Sequence, residues 1–375
     1  MANGYEIIAH YFPQWHVDPL NELYWGRPWS EWEVLQKAVP RFPGHAQPKV
    51  PLWGYLDESD PDVSQKQIDA AADHGVDAFL YCWYWDWWSG RPAAELEKYA
   101  DTPAALLTGP FLHRALENGF LRAKNRDRLK FALMWANHNP ITRRSFDAMT
   151  DYIVKHYLHE NNYWTVMGGL YFCIYELQNL IANLGGLPEA KDALDSFRAK
   201  VKDAGLPPLH IAALSRWFYD LMGRSVNELA EYFGVDSITS YTVLDNLPLT
   251  VFPATDFGEY IKGVPALWEE LAAKCGSVPY FPNVTVGFDA TPRIPLDQPF
   301  VHGAYPYVPV LTNNKPELFE KSLRQAKEFV DTHGTDPKII TIYNWNEWSE
   351  GGYLEPDTVH GMGYLEAIRR VFGPR

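Results

Sequence analysis

Short apolar and β-branched runs alternate along the whole chain with longer stretches whose apolar positions recur every three or four residues. The runs at 6–11, 78–83, 130–135, 170–175, 209–214, 237–241, 284–288 and 338–343 read as strands. Their nearly continuous apolarity suits strands covered on both faces, as in a parallel sheet. The stretch 61–74 sets Val63, Ile68, Ala71 and Ala72 in a helical pattern and stops at Gly75. Segments 188–204 and 316–332 repeat that form and are followed by Gly205 and Gly334, while 147–158, 226–233 and 364–372 read as further helices. Eight strands with crossover-length connections predict an α/β fold, a (β/α)8 TIM barrel.

Two connections exceed what a crossover needs, from residue 12 to about 60 and from 85 to about 128. Both follow strands, so in a barrel both lie on the C-terminal face, where binding and catalytic groups gather. They are dense in Trp, Pro, Gly and His, which suits shaped loops better than a second core, so residues 1–375 are expected to form a single catalytic barrel domain. No repeat of 20 to 50 residues competes with this organisation.

Composition narrows the function. Against 33 Lys and Arg stand 47 Asp and Glu, a net charge of −14, so no general basic surface suits nucleic acid or an anionic membrane. Cys82, Cys173 and Cys275 are too scattered for a disulfide scaffold or a close metal pair. The start of the chain lacks a signal-peptide pattern and no 18-residue apolar run follows, so the expectation is a cytoplasmic protein without integral membrane contact. The 15 Trp and 22 Tyr offer flat faces with polar edges, suited to a sugar.

The strongest candidate chemistry is Tyr-Asn-Trp-Asn-Glu-Trp-Ser-Glu at 343–350, directly after the last strand. Glu347 and Glu350 can divide acid and base roles at the cleft rim, as paired carboxylates do in glycosidases. The competing reading is a solvated acidic turn, but Asn344, Trp345 and Trp348 beside the pair favour a site. His10 on the first strand, and Gln14, Trp15, His16, Trp25, Glu31 and Trp32 after it, are candidate sugar contacts, with core burial the alternative for His10 and loop packing for Trp25 and Trp32. Tyr84, Trp85 and Asp86 lie in the aromatic run 81–88 after the second strand, with core packing the alternative, in which Asp86 would need a partner amid aromatic rings. Trp135, Asn137 and His138 end the third strand, where an Asx turn before Pro140 is the alternative. Glu176 ends the fourth strand, as a further cleft carboxylate or a helix-start residue.

Phosphate-binding glycine loops, a His-Glu-x-x-His pair and a Gly-x-Ser-x-Gly elbow are all missing from the sequence, so no organic cofactor, metal or serine acyl transfer is expected. Arg27, Arg91, Arg143 and Arg293 are the local cations that would meet an acidic glycan.

The chain resembles the glycoside hydrolase family 99-like group, including the WbsX-like proteins of bacterial polysaccharide loci. The resemblance rests on Ala-His-Tyr-Phe-Pro-Gln-Trp-His at 9–16, Tyr-Trp-Gly at 24–26, Trp-Ser-Glu-Trp at 29–32 and Gly-His-Ala-Gln-Pro at 44–48. It continues through Asp77 to Phe79, Tyr84 and Trp85, Trp135 to Asn137, the 343–350 motif and Leu-Glu-Pro-Asp at 354–357. It covers nearly the entire chain. It implies a (β/α)8 barrel and, as in endo-α-mannosidases and endo-α-mannanases, retaining action on an α-linkage. In that scheme Glu347 would help deprotonate the sugar 2-hydroxyl, forming a 1,2-anhydro sugar, and Glu350 would act as acid and then as base. WbsX-like members commonly read Trp-Ala-Asn-Glu-Asn-Trp at the third strand, where this chain has His138 and Pro140, so the substrate is not carried over with the fold.

The first expectation is thus a glycoside hydrolase acting on an α-linked oligo- or polysaccharide. One alternative is a polysaccharide-assembly glycosyltransferase or transglycosylase; another is a carbohydrate-binding barrel without catalysis.

Overall fold

The structure, a computed structural model, describes residues 4–87, 94, 97–99, 102, 108–219 and 222–373. Arg91, and Trp88 at the end of the aromatic run 81–88, lie outside the described residues.

Eight parallel strands form the core: β1 (Tyr5–Tyr11), β2 (Ala78–Trp85), β3 (Lys130–Trp135), β4 (Gly169–Ile174), β5 (Leu209–Leu214), β6 (Ser237–Thr239), β7 (Asn283–Thr285) and β8 (Lys338–Tyr343). They pair in the order β7-β8-β1-β2-β3-β4-β5-β6, with Ile8 opposite both Thr341 and Ala78. At the seam, Ile238 donates its amide to the Pro279 carbonyl (2.9 Å) and accepts from the Phe281 amide (2.8 Å), which nearly closes the ring. The result is the expected (β/α)8 barrel. Its inside carries a polar layer, where the Thr239 and Thr341 hydroxyls meet at 2.8 Å and the Asn283 amide donates to Thr341 (3.0 Å). Pairing offsets the desolvation of the two hydroxyls and of the Asn283 amide N–H, while the Asn283 Oδ1 is buried and accepts no hydrogen bond.

Helices cover the outside for local reasons that the chain states. In α1 (Pro61–Asp73), Asp60 accepts from the Asp62 amide and Pro61 starts the first turn, while Ile68 and Ala71 are buried toward the strands. α2 (Arg143–His156) starts four residues before the expected 147 because Thr142 caps the Ser145 amide (3.2 Å). α3 (Leu177–Leu184) and α4 (Leu187–Asp203) follow β4, and α5 (Val226–Phe233) begins in a Ser225–Glu228 capping box. α6 (Val264–Cys275), α7 (Pro316–His333) and α8 (Gly363–Phe372) complete the layer.

The last two strands before the closing one are shorter than expected. β6 stops at Thr239, after which the Ser240 hydroxyl turns to Ser215 (2.8 Å) and Tyr280 (3.1 Å). β7 stops at Thr285, and the chain then passes so close to Gly351 that a Cβ on Gly287 would lie 2.6 Å from its carbonyl oxygen. The connections after these strands are long as well, so the rim is built from more loops than the two the sequence reading singled out. Cys82, Cys173 and Cys275 are free and buried. Among the described residues no helix is long and apolar enough to cross a membrane.

Candidate active site

The loop after β8 is fastened before it reaches the cleft. Asn346 accepts from the Phe12 amide (2.8 Å) and donates to the Phe12 carbonyl (2.9 Å), tying the loop to the end of β1. Trp345 and Trp348 turn into the core, where Trp348 stacks on Tyr353 (3.7 Å) and donates to Glu355 (2.7 Å). The side chains of Glu347 and Glu350 face the opposite way, into a cavity of about 640 Å³ at the C-terminal ends of the strands. Gly352 lets this turn close on Tyr343, since a Cβ there would lie 2.2 Å from the tyrosine ring.

One guanidinium holds both carboxylates. Arg293 lies on the connection after β7; its Nη2 is 2.9 Å from Glu347, its Nη1 bonds to Glu350, and its Nε is 3.1 Å from Glu31. Glu350 also accepts from the Tyr305 hydroxyl (2.6 Å) and from Tyr343. Glu347 accepts from Tyr241 (3.3 Å) and Ser349 (3.3 Å). Burial pushes the Glu347 carboxyl well above its ordinary range; Arg293 opposes that shift, and the charges of Glu350 and Glu31 add to it. A buried base with a raised pKa is a stronger base once ionised, and this arrangement supplies one beside a more accessible carboxyl.

The Arg293 segment is itself pinned. Asp289 accepts from His45 (2.8 Å), Gln47 (2.6 Å) and Thr291 (2.6 Å), and the Asp289 amide donates to the Glu350 carbonyl (2.6 Å). This gives the Gly-His-Ala-Gln-Pro stretch at 44–48 a physical role: it joins the first long loop to the segment that carries Arg293.

The structure brings only part of the expected set to the cleft. Glu347, Glu350, Tyr84 and His138 line the main cavity, and Tyr84 and His138 also border a trough of about 400 Å³ lined by Gln14, Tyr24, Trp25, Trp29, Trp87 and Phe111. Trp25 is half exposed and stacks on Trp29 (5.1 Å). His138 is open to the cleft, yet the enclosing walls and then the Arg216 charge pull its imidazole down to about 4. Glu31 reaches the site through Arg293, and Glu176 stands behind the wall, 3.1 Å from Arg216.

The others are corrected to packing positions. His10 is buried against Tyr241 (5.0 Å), and burial lowers its pKa to about 3. His16 is buried 3.8 Å from Asp18. Trp15 packs on Trp32 (4.1 Å), whose indole donates to the Leu56 carbonyl (2.8 Å). Trp85 donates to Ser145 (3.0 Å), and Asp86, which needed a partner amid aromatic rings, has the same Ser145 hydroxyl. Trp135 packs on Phe146, while Asn137 exchanges hydrogen bonds with the Glu176 backbone at 2.7 and 2.8 Å. Asn344 donates to Tyr241 (3.1 Å) from a buried position, and Trp345 packs on Phe79.

Sequence reasoning missed Arg216, Asp245, Tyr175, Tyr241 and Tyr305, all cavity-lining. Tyr241 falls within the expected sixth strand, so its place at a strand end was a usable signal.

Comparison with known proteins matches the family described as glycosyltransferase WbsX to residues 7–103 and 111–368. Two proteins of Xanthomonas campestris pv. campestris, each named uncharacterized protein WxcX, are 25% identical over 97% of this chain. The chain spans about half of their length, 49% of each. A solved "Glycoside hydrolase-like protein" aligns with a TM-score of 0.57 at 16% identity, over 98% of this chain and 94% of the other. The GH99 endo-alpha-mannosidase from Bacteroides thetaiotaomicron aligns with a TM-score of 0.55 at 17% identity, over 98% and 96%. These two likenesses establish a shared barrel.

Proposed function

Because the chain belongs to the glycosyltransferase WbsX family, carbohydrate-active enzymes here carried on a glycoside-hydrolase-like barrel, we propose that it breaks an α-glycosidic bond at Glu347 and Glu350 and passes the glycosyl unit to a saccharide hydroxyl. The observation that carries this reading is the pair of carboxylates facing one cavity and bridged by Arg293. The trough that joins the cavity at Tyr84 and His138 offers the aromatic floor on which an acceptor sugar would stack. In this reading residues 1–375 act as one catalytic barrel.

The proton inventory closes with these two side chains. Glu347 takes the proton of the sugar 2-hydroxyl as that oxygen attacks C1, while Glu350 gives a proton to the departing glycosidic oxygen, leaving a 1,2-anhydro sugar. Glu350 then removes the proton of the acceptor hydroxyl, which opens the anhydro ring at C1, and Glu347 returns its proton to O2. Two inversions at C1 leave the α-configuration retained.

Hydrolysis is the second reading, since water in place of the acceptor completes the same steps and the cleft is open enough to expose His138. Product analysis of α-linked oligosaccharides with and without added acceptor sugar distinguishes them. Acceptor-extended products support transfer; reducing ends derived only from water contradict it and leave the hydrolase.

A further inference from the structure

A second charged group lines the same cavity and takes no part in the proton steps above. Arg216, on the turn after β5, donates from Nε to Glu176 (3.1 Å) and from Nη1 to Asp245 (2.6 Å), and its guanidinium lies over the Tyr175 ring at 5.7 Å. Its side chain is 39% exposed toward the cleft, whereas that of Asp245 is 11% exposed. The Asp245 Oδ2 is buried and accepts no hydrogen bond, so Arg216 is the neighbour that balances its charge. Burial raises the Asp245 carboxyl to about 6 against the pull of Arg216, which leaves it mostly ionised at neutral pH.

One guanidinium between two carboxylates is a directed hydrogen-bond donor with no positive charge to spare. Arg293 is in the same condition, with Glu31, Glu347 and Glu350 around it. Among the described residues, Glu31, Glu176 and Asp245 outnumber the two arginines even when Glu347 and Glu350 both hold protons. Of the other cations offered for an acidic glycan, those among the described residues are engaged elsewhere: Arg27 with Glu33, and Arg143 with Asp147 and Asp192.

We propose that Arg216, clamped between Glu176 and Asp245, contacts a neutral sugar unit in this cleft, and that the surplus of carboxylates excludes uronic-acid units from it. A fixed guanidinium donates to a hydroxyl or ring oxygen at a set angle, while a sugar carboxylate entering here meets uncompensated like charge in a partly desolvated site. This inference rests on the carbohydrate reading and adds the class of sugar.

The test uses matched α-linked disaccharides in the gluco, galacto and manno series that differ only at C6, as a primary alcohol or a carboxylate. Affinities are measured by calorimetric titration on the Glu350→Gln protein, to limit turnover. The neutral member of a bound pair is expected to bind at least about tenfold tighter. Adding Asp245→Asn is expected to narrow that ratio at least about fivefold by admitting the carboxylate sugar. Equal or tighter carboxylate binding in the parent, or an unchanged ratio in a folded Asp245→Asn protein, overturns the inference and leaves the carbohydrate reading standing. Failure of every disaccharide to bind the parent overturns both. If Asp245→Asn does not fold, Glu176→Gln removes one charge from the same clamp and is read in the same way.

Discussion

Asn346 and the backbone of Phe12 exchange two hydrogen bonds, at 2.8 and 2.9 Å, across a separation of 334 residues. They join the first barrel strand to the loop that carries both candidate catalytic carboxylates, and the same Asn346 amide donates to Glu58 (2.7 Å). Replacement by Ala strands these buried groups, each at about 1–3 kcal/mol. Asn346→Ala is therefore expected to lose about 3 kcal/mol of stability in urea unfolding and to lower turnover through misplacement of Glu347. A loss under about 1 kcal/mol would show that the tie matters little.

Arg293 sets the electrostatics of the pair. Its charge lowers the Glu347 pKa against burial, so Arg293→Met removes that opposition and the pKa rises further. If the ionised Glu347 is the base, activity rises with pH through that pKa, and the rising limb of the pH–rate profile moves to higher pH in Arg293→Met. The rate at neutral pH is expected to fall about 10²-fold or more. An unmoved limb would separate Arg293 from the base.

Behind the loop that carries Glu347 and Glu350 lies another carboxyl pair. Glu58 and Glu355 share the Gln67 amide (3.1 and 2.8 Å). Burial pushes Glu355 to about 7 and Glu58 well above its usual range, with Glu355 adding to the latter. Groups raised in the folded state hold protons that the unfolded chain gives up near 4.5, so their stability contribution falls as pH climbs from about 4.5 through about 7. Glu58→Gln keeps an acceptor for Asn346 and Gln67 and removes one of the two titrations. Its melting temperature is expected to decline less than that of the natural chain between pH 5 and 8; parallel declines would contradict this assignment.

The trough makes a separable prediction. Trp25 stacks on Trp29 and is half exposed, so Trp25→Ala changes stability little. Losing a stacking face worth about 0.5–1.5 kcal/mol is expected to raise the acceptor KM by about three- to tenfold, with little effect on donor consumption. Unchanged acceptor dependence would remove the trough from the acceptor path.

The barrel was legible because its strands are buried on both faces and its helices carry their own stops and caps. The placement of Glu347 and Glu350 at the cavity was legible because a strand end precedes them. The aromatic content misled in part: Trp15, Trp32, Trp135, Trp345 and Trp348 pack into the core, and two of them satisfy their indole N–H on the Leu56 carbonyl and Glu355. Arg216, Asp245 and Tyr305 sit on irregular connections with no period to read, and only tertiary approach carries them to the cavity. His45 and Gln47 showed as a motif, but their partner Asp289 lies more than 240 residues away.

The most direct measurement is turnover of α-linked oligosaccharides by the natural chain, Glu347→Gln and Glu350→Gln, with products read by mass spectrometry and anomeric NMR. The account predicts that both variants fold like the natural chain and lose about 10²- to 10⁴-fold in rate, and that the natural chain's first product keeps the α-configuration. Normal turnover in both variants would contradict it.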